Sequence, residues 1–137
     1  MYHVSTNPHP TIINCTISGN QATNGAGGIH NSSSSPILKN CILWGNSSEV
    51  FSSEVYNDAN SSPNYTYCLV QRLNPTGVGN LNGTLATNNP LFESQPDFMT
   101  APTTAGDLRL RQCSPAIDAG TATDAPTTDL DGNNRVD

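Results

Sequence analysis

The chain has 137 residues, a length that suits one ordinary domain. Only 34% of the residues are hydrophobic and 12% charged, and abundant Asn, Ser, Thr and Gly are typical of short strands with many tight turns. The net charge of −6 and the five scattered basic residues argue against nucleic acid or anionic membranes as partners. No apolar stretch approaches the roughly 20 residues that a spanning helix needs, so membrane insertion is not expected. Residues 1–10 lack the apolar core of a signal peptide.

One short pattern occurs three times in the first half of the chain. It reads Pro-Thr-Ile-Ile-Asn-Cys-Thr-Ile-Ser-Gly-Asn over residues 10–20 and Pro-Ile-Leu-Lys-Asn-Cys-Ile-Leu-Trp-Gly-Asn over residues 36–46. A less regular third copy begins at Pro63, and successive cysteines (Cys15, Cys41 and Cys68) are 26 and then 27 residues apart. A fixed period of this size indicates one structural unit stacked on itself.

Aligning the copies on their cysteines places apolar residues in three columns. The cysteine position and the position two residues later alternate as in a strand, so both should face inward. The column three residues before the cysteine breaks this alternation, which predicts a bend near Asn14 and Asn40. Gly19 and Gly45, each followed by Asn, should then end the strand. The predicted core ladder contains Ile12, Leu38 and Tyr65, then Cys15, Cys41 and Cys68, and finally Ile17, Leu43 and Val70.

A second segment recurs at the same offset and completes the predicted fold. Gly-Ile-His-Asn at residues 28–31 aligns with Glu-Val-Tyr-Asn at residues 54–57, so each period holds at least two short strands. Strands that recur in one direction must pair in parallel with their own copies. We therefore expect an all-β chain, a parallel β-helix of about three coils of 26–27 residues over positions 1–70. Residues 71–137 should form an irregular final coil and C-terminal cap of the same domain.

Three aromatic residues form a candidate binding surface. Trp44 falls on an outward position of its strand, where it is either an exposed contact residue or covered by a neighbouring loop. The alignment also stacks His30 beside Tyr56, an aromatic pair more typical of a surface ladder than of acid–base catalysis.

The four cysteines allow a disulfide interpretation, but the repeat favours free thiols. Three of them occupy one inward column, where they would act as small buried apolar residues. Cys113 lies outside the repeats and has no evident mate. No Cys-x-x-Cys or clustered Cys/His spacing indicates zinc.

These motifs resemble bacterial surface proteins with polymorphic-outer-membrane-type repeats, which are right-handed parallel β-helices of the pectate-lyase-like class. The tail resembles the ending of the same proteins in Asn-Pro-Leu-Phe (residues 89–92), Gly-Asp-Leu-Arg-Leu (106–110), Ser-Pro-Ala-Ile-Asp-Ala-Gly (114–120) and Asp-Leu-Asp-Gly-Asn-x-Arg (129–135). The resemblance implies a right-handed helix, an extracellular or cell-surface location, and the C-terminal portion of a longer protein or a short member. It supports display or adhesion more than catalysis.

The charged residues give little indication of catalysis. The acids of the repeats, Glu49, Glu54 and Asp58, form no column, and Arg72 is a lone candidate base. We therefore expect no catalytic residues and no cofactor other than calcium. Asp129, Asp131 and Asn133 follow the start of a calcium loop without its later ligands, and a polar turn is the alternative interpretation.

The sequence thus favours a non-enzymatic extracellular β-helix module for surface display, adhesion or structural assembly. The expected partners are a second copy stacked end to end, because an open strand edge can pair with another chain, or a cell-surface glycan or protein. The alternative is the C-terminal part of a polysaccharide-binding or polysaccharide-degrading β-helix enzyme.

Overall fold

The computed structural model describes residues 2–4, 9–50, 54–101, 103–128 and 132–134. In this part of the chain the regular structure is β-strand apart from two short 3-10 helices, Ala86–Asn88 and Phe98–Thr100. The chain is therefore all-β, as predicted, and none of its described helices could cross a membrane. The strands are β1 (Tyr2–Val4), β2 (Thr11–Ile13), β3 (Thr16–Ser18), β4 (Gln21–Ala22), β5 (Ile29–Ser32), β6 (Ile37–Lys39), β7 (Ile42–Trp44), β8 (Ser47–Ser48), β9 (Val55–Asn57), β10 (Asn64–Thr66), β11 (Leu69–Val70), β12 (Phe92–Ser94) and β13 (Asp107–Leu110).

The repeats pair in parallel with their own copies, as the period predicts. Three sheets have the orders β1-β5-β9, β2-β6-β10 and β3-β7-β11, and β4 pairs with β8. The register follows the sequence offset, so that Ile12 lies beside Leu38 and Leu38 beside Tyr65. We call β2–β5 the first layer, β6–β9 the second and β10–β11 the third.

Left-handed backbone positions separate the strands within each layer. Asn14 and Asn40 have φ of 55° and 52°, which confirms the predicted bend, and Tyr67 holds the same conformation at 53°. Asn is one of the few residue types that adopt this conformation at low cost. Gly19 (φ 70°) and Gly45 (φ 74°) end β3 and β7 in the same way.

The inward columns form the main apolar core. Leu43 is fully buried, and its cluster contains the residues of the predicted ladder other than Cys15, with Ile17 only partly buried at its margin. Cys15 departs from the prediction because its side chain is exposed. It lies between β2 and β3, and both of these strands have a neighbouring strand on one side only among the described residues.

Residues 73–83 lie over the third layer and replace a fourth set of strands. The amide of Tyr67 donates to Val78 O (2.9 Å), and Leu81 forms an isolated parallel bridge with Leu69. The side chain of Asn80 accepts from the amide of Cys68 (2.8 Å) and donates to Tyr65 O (2.9 Å). This segment therefore satisfies backbone groups that a further layer would otherwise bind.

The rest of the described C-terminal part runs along the side of the stack, not over its end. We call described residues 89–101 and 103–124 the lateral segment. Its strands β12 and β13 pair antiparallel, and Phe92 packs against Trp44 and Leu69 on the outer face of the β3-β7-β11 sheet. At its far end Lys39 forms an ion pair with Asp124 (2.8 Å). The sheet is thus apolar on both faces, with the main core on one side and the lateral segment on the other.

Candidate functional site

The structure separates the three aromatic residues of the predicted binding surface. His30 and Tyr56 lie side by side on β5 and β9, with ring centroids 4.8 Å apart and ring planes tilted by 48°. Both side chains are half-buried, and they alternate with the inward residues Ile29 and Asn31. This pair remains as a candidate contact surface on the β1-β5-β9 sheet.

Trp44 is not part of that surface. It lies on β7 in another sheet and is only 5% exposed, because Phe92 and the neighbouring apolar residues of the lateral segment cover it. The prediction of an exposed Trp44 binding residue is therefore wrong, and the alternative of a covering segment describes its environment. The physical reason is that the outward positions of β7 carry large apolar side chains, which are stabilised by burial.

Polar side chains in the repeats are bonded from one layer to the next. The side-chain amide of Asn40 donates to Asn14 Oδ1 (2.9 Å), and the side-chain amide of Asn31 donates to Asn57 Oδ1 (2.7 Å). A third pair joins Asn20 Nδ2 to Asn46 Oδ1 (2.9 Å). These amides satisfy one another along the stack, so their evident role is to hold the layers in register.

Glu54 is a buried carboxylate that the sequence patterns did not single out. It is 3% exposed, and it accepts hydrogen bonds from the backbone amide and the side chain of Asn46. Burial raises the pKa of Glu54 above its usual value, while the Asn46 hydrogen bonds and the charge of Arg72 oppose this shift. Its alignment with Gly28 was the available signal, since a bulky acid replaces a residue with no side chain.

Asp58 joins the first and second layers at a corner. Its carboxylate accepts hydrogen bonds from Ser61 Oγ (2.7 Å), the amide of Ser33 (2.9 Å), the amide of Asn60 (3.0 Å) and Ser32 Oγ (3.1 Å). These bonds, with that of Ser61 the largest contribution, hold the pKa of Asp58 below its usual value. All four donors stabilise the ionised form, so this acid is engaged in structure.

A cleft of about 90 Å³ lies between the second and third layers and the lateral segment. Its walls include Ile42, Leu69 and Ala119, and the side chain of Asn40 borders it. That side chain donates to Thr121 O (2.8 Å) and accepts from the amide of Thr121 (3.0 Å). The cleft is therefore small and largely apolar, and its bordering amide is already bonded.

The four cysteines are free thiols, two of them deep in the core. Cys41 and Cys68 are each 1% exposed, and their Sγ atoms donate to Lys39 O (3.1 Å) and Thr66 O (3.2 Å). The contact with the Cys68 thiol, and then burial, raise the pKa of Cys41 well above its usual value. Cys41 is therefore a protonated core residue, because burial disfavours the thiolate that nucleophilic chemistry requires.

The predicted calcium residues fall mostly outside the described part of the chain. Asp129 and Asp131 are not among the described residues, whereas Asn133 is exposed beside Asn134, which bridges to Thr128. Within the described ranges no group of three or more His, Cys, Asp and Glu side chains could hold a metal ion. Calcium binding by this loop remains a prediction.

No protein-family model, curated protein or solved structure matches the chain. The interpretation of function therefore depends on the geometry described above and on the sequence motifs.

Proposed function

We propose that the chain is a short right-handed parallel β-helix that acts as a non-enzymatic extracellular module for surface display, adhesion or structural assembly. The in-register recurrence of three strand sets supports the helical winding. The resemblance of the repeats and of the tail motifs to bacterial surface proteins supports the handedness and the location.

The observation that carries the proposal is how the polar side chains are used. The side chains of the Asn pairs and of Asp58 form hydrogen bonds between layers. The carboxylate of Glu54 is hydrogen-bonded to Asn46. Such contacts favour a rigid, repetitive scaffold, whereas a hydrolytic enzyme would need two carboxyl groups about 5–10 Å apart across one accessible surface.

For adhesion, the His30–Tyr56 pair is the proposed contact surface, with a glycan as ligand. Stacked aromatic rings offer an apolar face with polar edges, a combination that suits sugar rings. The pair also lies on a sheet face away from the lateral segment, which covers the β3-β7-β11 sheet.

The test is a binding assay of the chain against neutral and acidic polysaccharides, run beside an assay for new reducing ends. We expect binding without release of reducing ends, and Tyr56→Ala should weaken it by about tenfold, or 1.4 kcal/mol. Met99→Ala, an exposed change on the lateral segment, is the control. Release of reducing ends would favour the polysaccharide-degrading alternative, and unchanged binding by Tyr56→Ala would remove the aromatic pair as the contact surface.

A further inference from the structure

An acidic side chain lies near the His30–Tyr56 pair where β5 and β9 end. Ser32 follows His30 by two residues on β5 and therefore lies on the same face of the strand. Its hydroxyl donates to Asp58 Oδ2 (3.1 Å), which places that carboxylate on the face that carries the rings. Hydrogen bonds hold the pKa of Asp58 below its usual value, so the group is ionised at neutral pH. A negative charge thus adjoins the aromatic pair.

The carboxylate of Asp58 offers charge to a ligand but no vacant acceptor site. An ionised carboxylate has about four lone-pair sites. Donors from Ser61, Ser33, Asn60 and Ser32 already occupy them. A ligand hydroxyl would have to displace one of these bonds, so Asp58 acts on a ligand through its charge, which repels anions.

A second acid lies at the other end of these strands, beside the turn at Gly25. The His30 ring packs against this turn, since a Cβ added at Gly25 (φ 87°) would collide with His30 Nδ1. The hydroxyl of Ser48 donates to Gly25 O, and the amide of the next residue, Glu49, donates to Ala22 O (3.2 Å). Glu49 is exposed, so this turn carries a negative charge toward solvent.

The positive charges of the described chain are balanced elsewhere. Strands β1, β5 and β9 contain neither Lys nor Arg. The charge of Arg72 acts on the buried Glu54. The ion pairs of the other described basic residues are Lys39 with Asp124, Arg109 with Asp107, and Arg111 with Glu93. Glu49 and Asp58 form no ion pair with a basic residue in the described ranges, so the ring pair lies between two acids without a neighbouring cation.

From this distribution of charge we infer that the His30–Tyr56 surface binds neutral glycans and rejects glycans that carry uronic, sulfate or sialic acid groups. Sugar rings would contact the aromatic rings, whereas an anionic group on the ligand would meet two carboxylates. Like charges across an interface cost affinity and suppress wrong partners. The net charge of −6 acts in the same direction. The inference rests on the adhesive part of the proposed function and names its ligand class.

A glycan array that holds neutral, uronic-acid, sulfated and sialylated glycans, probed with the full chain, tests this directly. We expect the bound glycans to be neutral. Equal binding of neutral and acidic glycans, or binding confined to acidic ones, would overturn the inference and leave the adhesive function standing. Binding to no glycan would remove both, so the two failures are distinguishable.

A pair of charge reversals locates the selectivity on this surface. The ligands are the neutral glycan that binds best and its derivative oxidised to uronic acids at the primary hydroxyls, which keeps the same backbone. The oxidised form should bind the unmodified chain at least about tenfold more weakly. Glu49→Lys should recover most of this loss and leave binding of the neutral form unchanged.

Glu93→Lys is the matched control, because it makes the same change of charge at an exposed position of the lateral segment. It should not restore binding of the oxidised form. Equal recovery in the two variants would mean that overall charge sets the selectivity, and failure of Glu49→Lys to recover binding would mean that the acids beside the rings do not. Either result would overturn the inference.

Salt dependence gives a second measurement, made on the unmodified chain. The Debye length falls from about 30 Å at 0.01 M salt to about 3 Å at 1 M, so added salt should reduce the difference in affinity between the neutral and the oxidised form. Binding of the neutral form should change little. A difference that is the same at both salt concentrations would mean that steric fit, and not charge, rejects the acidic form, and would overturn the inference.

Discussion

The Tyr65 hydroxyl is the least satisfied polar group of the core. The side chain is 5% exposed, and the hydroxyl makes no hydrogen bond of ordinary geometry with a described residue. Burial raises the pKa of Tyr65 to about 12, so the group stays neutral. A buried hydroxyl of this kind costs about 1–3 kcal/mol when it has no partner.

We therefore expect Tyr65→Phe to raise the free energy of unfolding by about 1 kcal/mol, since the ring is kept and the unpaired hydroxyl is removed. Urea unfolding of the two proteins measures the difference. Asn57 is the polar group that faces this hydroxyl. A loss of stability of similar size would mean that the two form a stabilising hydrogen bond in solution.

Glu54 should make stability depend on pH. Its pKa is raised in the folded chain relative to the usual 4.5, so the native state binds the proton more tightly than the unfolded state. This contribution is fully present below pH 4.5 and is lost as the pH rises through the folded-state pKa. Glu54→Gln removes the titration, so its stability relative to the unmodified chain should improve from acidic to neutral pH.

Unfolding by urea at about pH 4 and about pH 7 measures this change. Glu49→Gln, which changes an exposed acid in the same layer, is the matched control. A stability difference for Glu54→Gln that is constant over this range, or that moves in the opposite direction, would contradict the raised pKa.

At the scale of elements, Phe92 should anchor the lateral segment. It is 6% exposed and packs against Trp44 and Leu69. Phe92→Ala should therefore cost about 3–5 kcal/mol, the usual range for a buried aromatic residue, whereas Met99→Ala, at 69% exposure, should cost less than about 0.5 kcal/mol. Trp44 is the single tryptophan of the chain, so its fluorescence reports directly on this contact.

The expected signal is a red shift of the Trp44 emission in Phe92→Ala, because water would reach the indole ring. Urea unfolding gives the accompanying change in stability. An unchanged emission maximum together with an unchanged stability would mean that the lateral segment does not hold to the sheet through Phe92.

The repeat could be predicted from local spacing, and the lateral segment could not. The cysteine period defines which residues align in neighbouring layers. Asn14 and Asn40 indicate the bend because Asn tolerates the left-handed backbone conformation better than most residues. The position of the lateral segment depends on contacts far apart in the chain, such as that of Phe92 with Trp44, and no period reports them. One signal was present, because apolar Ile42 and Trp44 replace Thr16 and Ser18 at outward positions.

The candidate site was predicted less well, for related reasons. The alignment placed His30 beside Tyr56 correctly, since both lie in the repeat. It said nothing of Glu54 and Asn46, whose contact spans a loop and does not follow the period. Exposure of Trp44 depended on what covers the sheet, which the repeat does not contain.

For the whole molecule, a stack of layers predicts a gradient of local stability. In repeat architectures each layer contacts only its neighbours, so a central layer is held from both sides. Amides of β6 and β7 should therefore exchange most slowly, and those of β2 and β3 faster, when measured on monomeric chain at low concentration. Uniform protection across all layers would instead indicate that the stack opens in one cooperative step.

The lateral segment spans all three layers of the stack. It contacts the third layer where Phe92 packs against Leu69, and it reaches the first layer at Gly19, where an added Cβ would lie 2.5 Å from Pro96 Cβ. Each layer inserted between these two points would move them about 4.8 Å further apart. A repeat inserted there would leave the lateral segment too short to contact both layers. The lateral segment therefore limits how many layers can lie between its two contacts, whereas a layer added before the first would leave that distance unchanged.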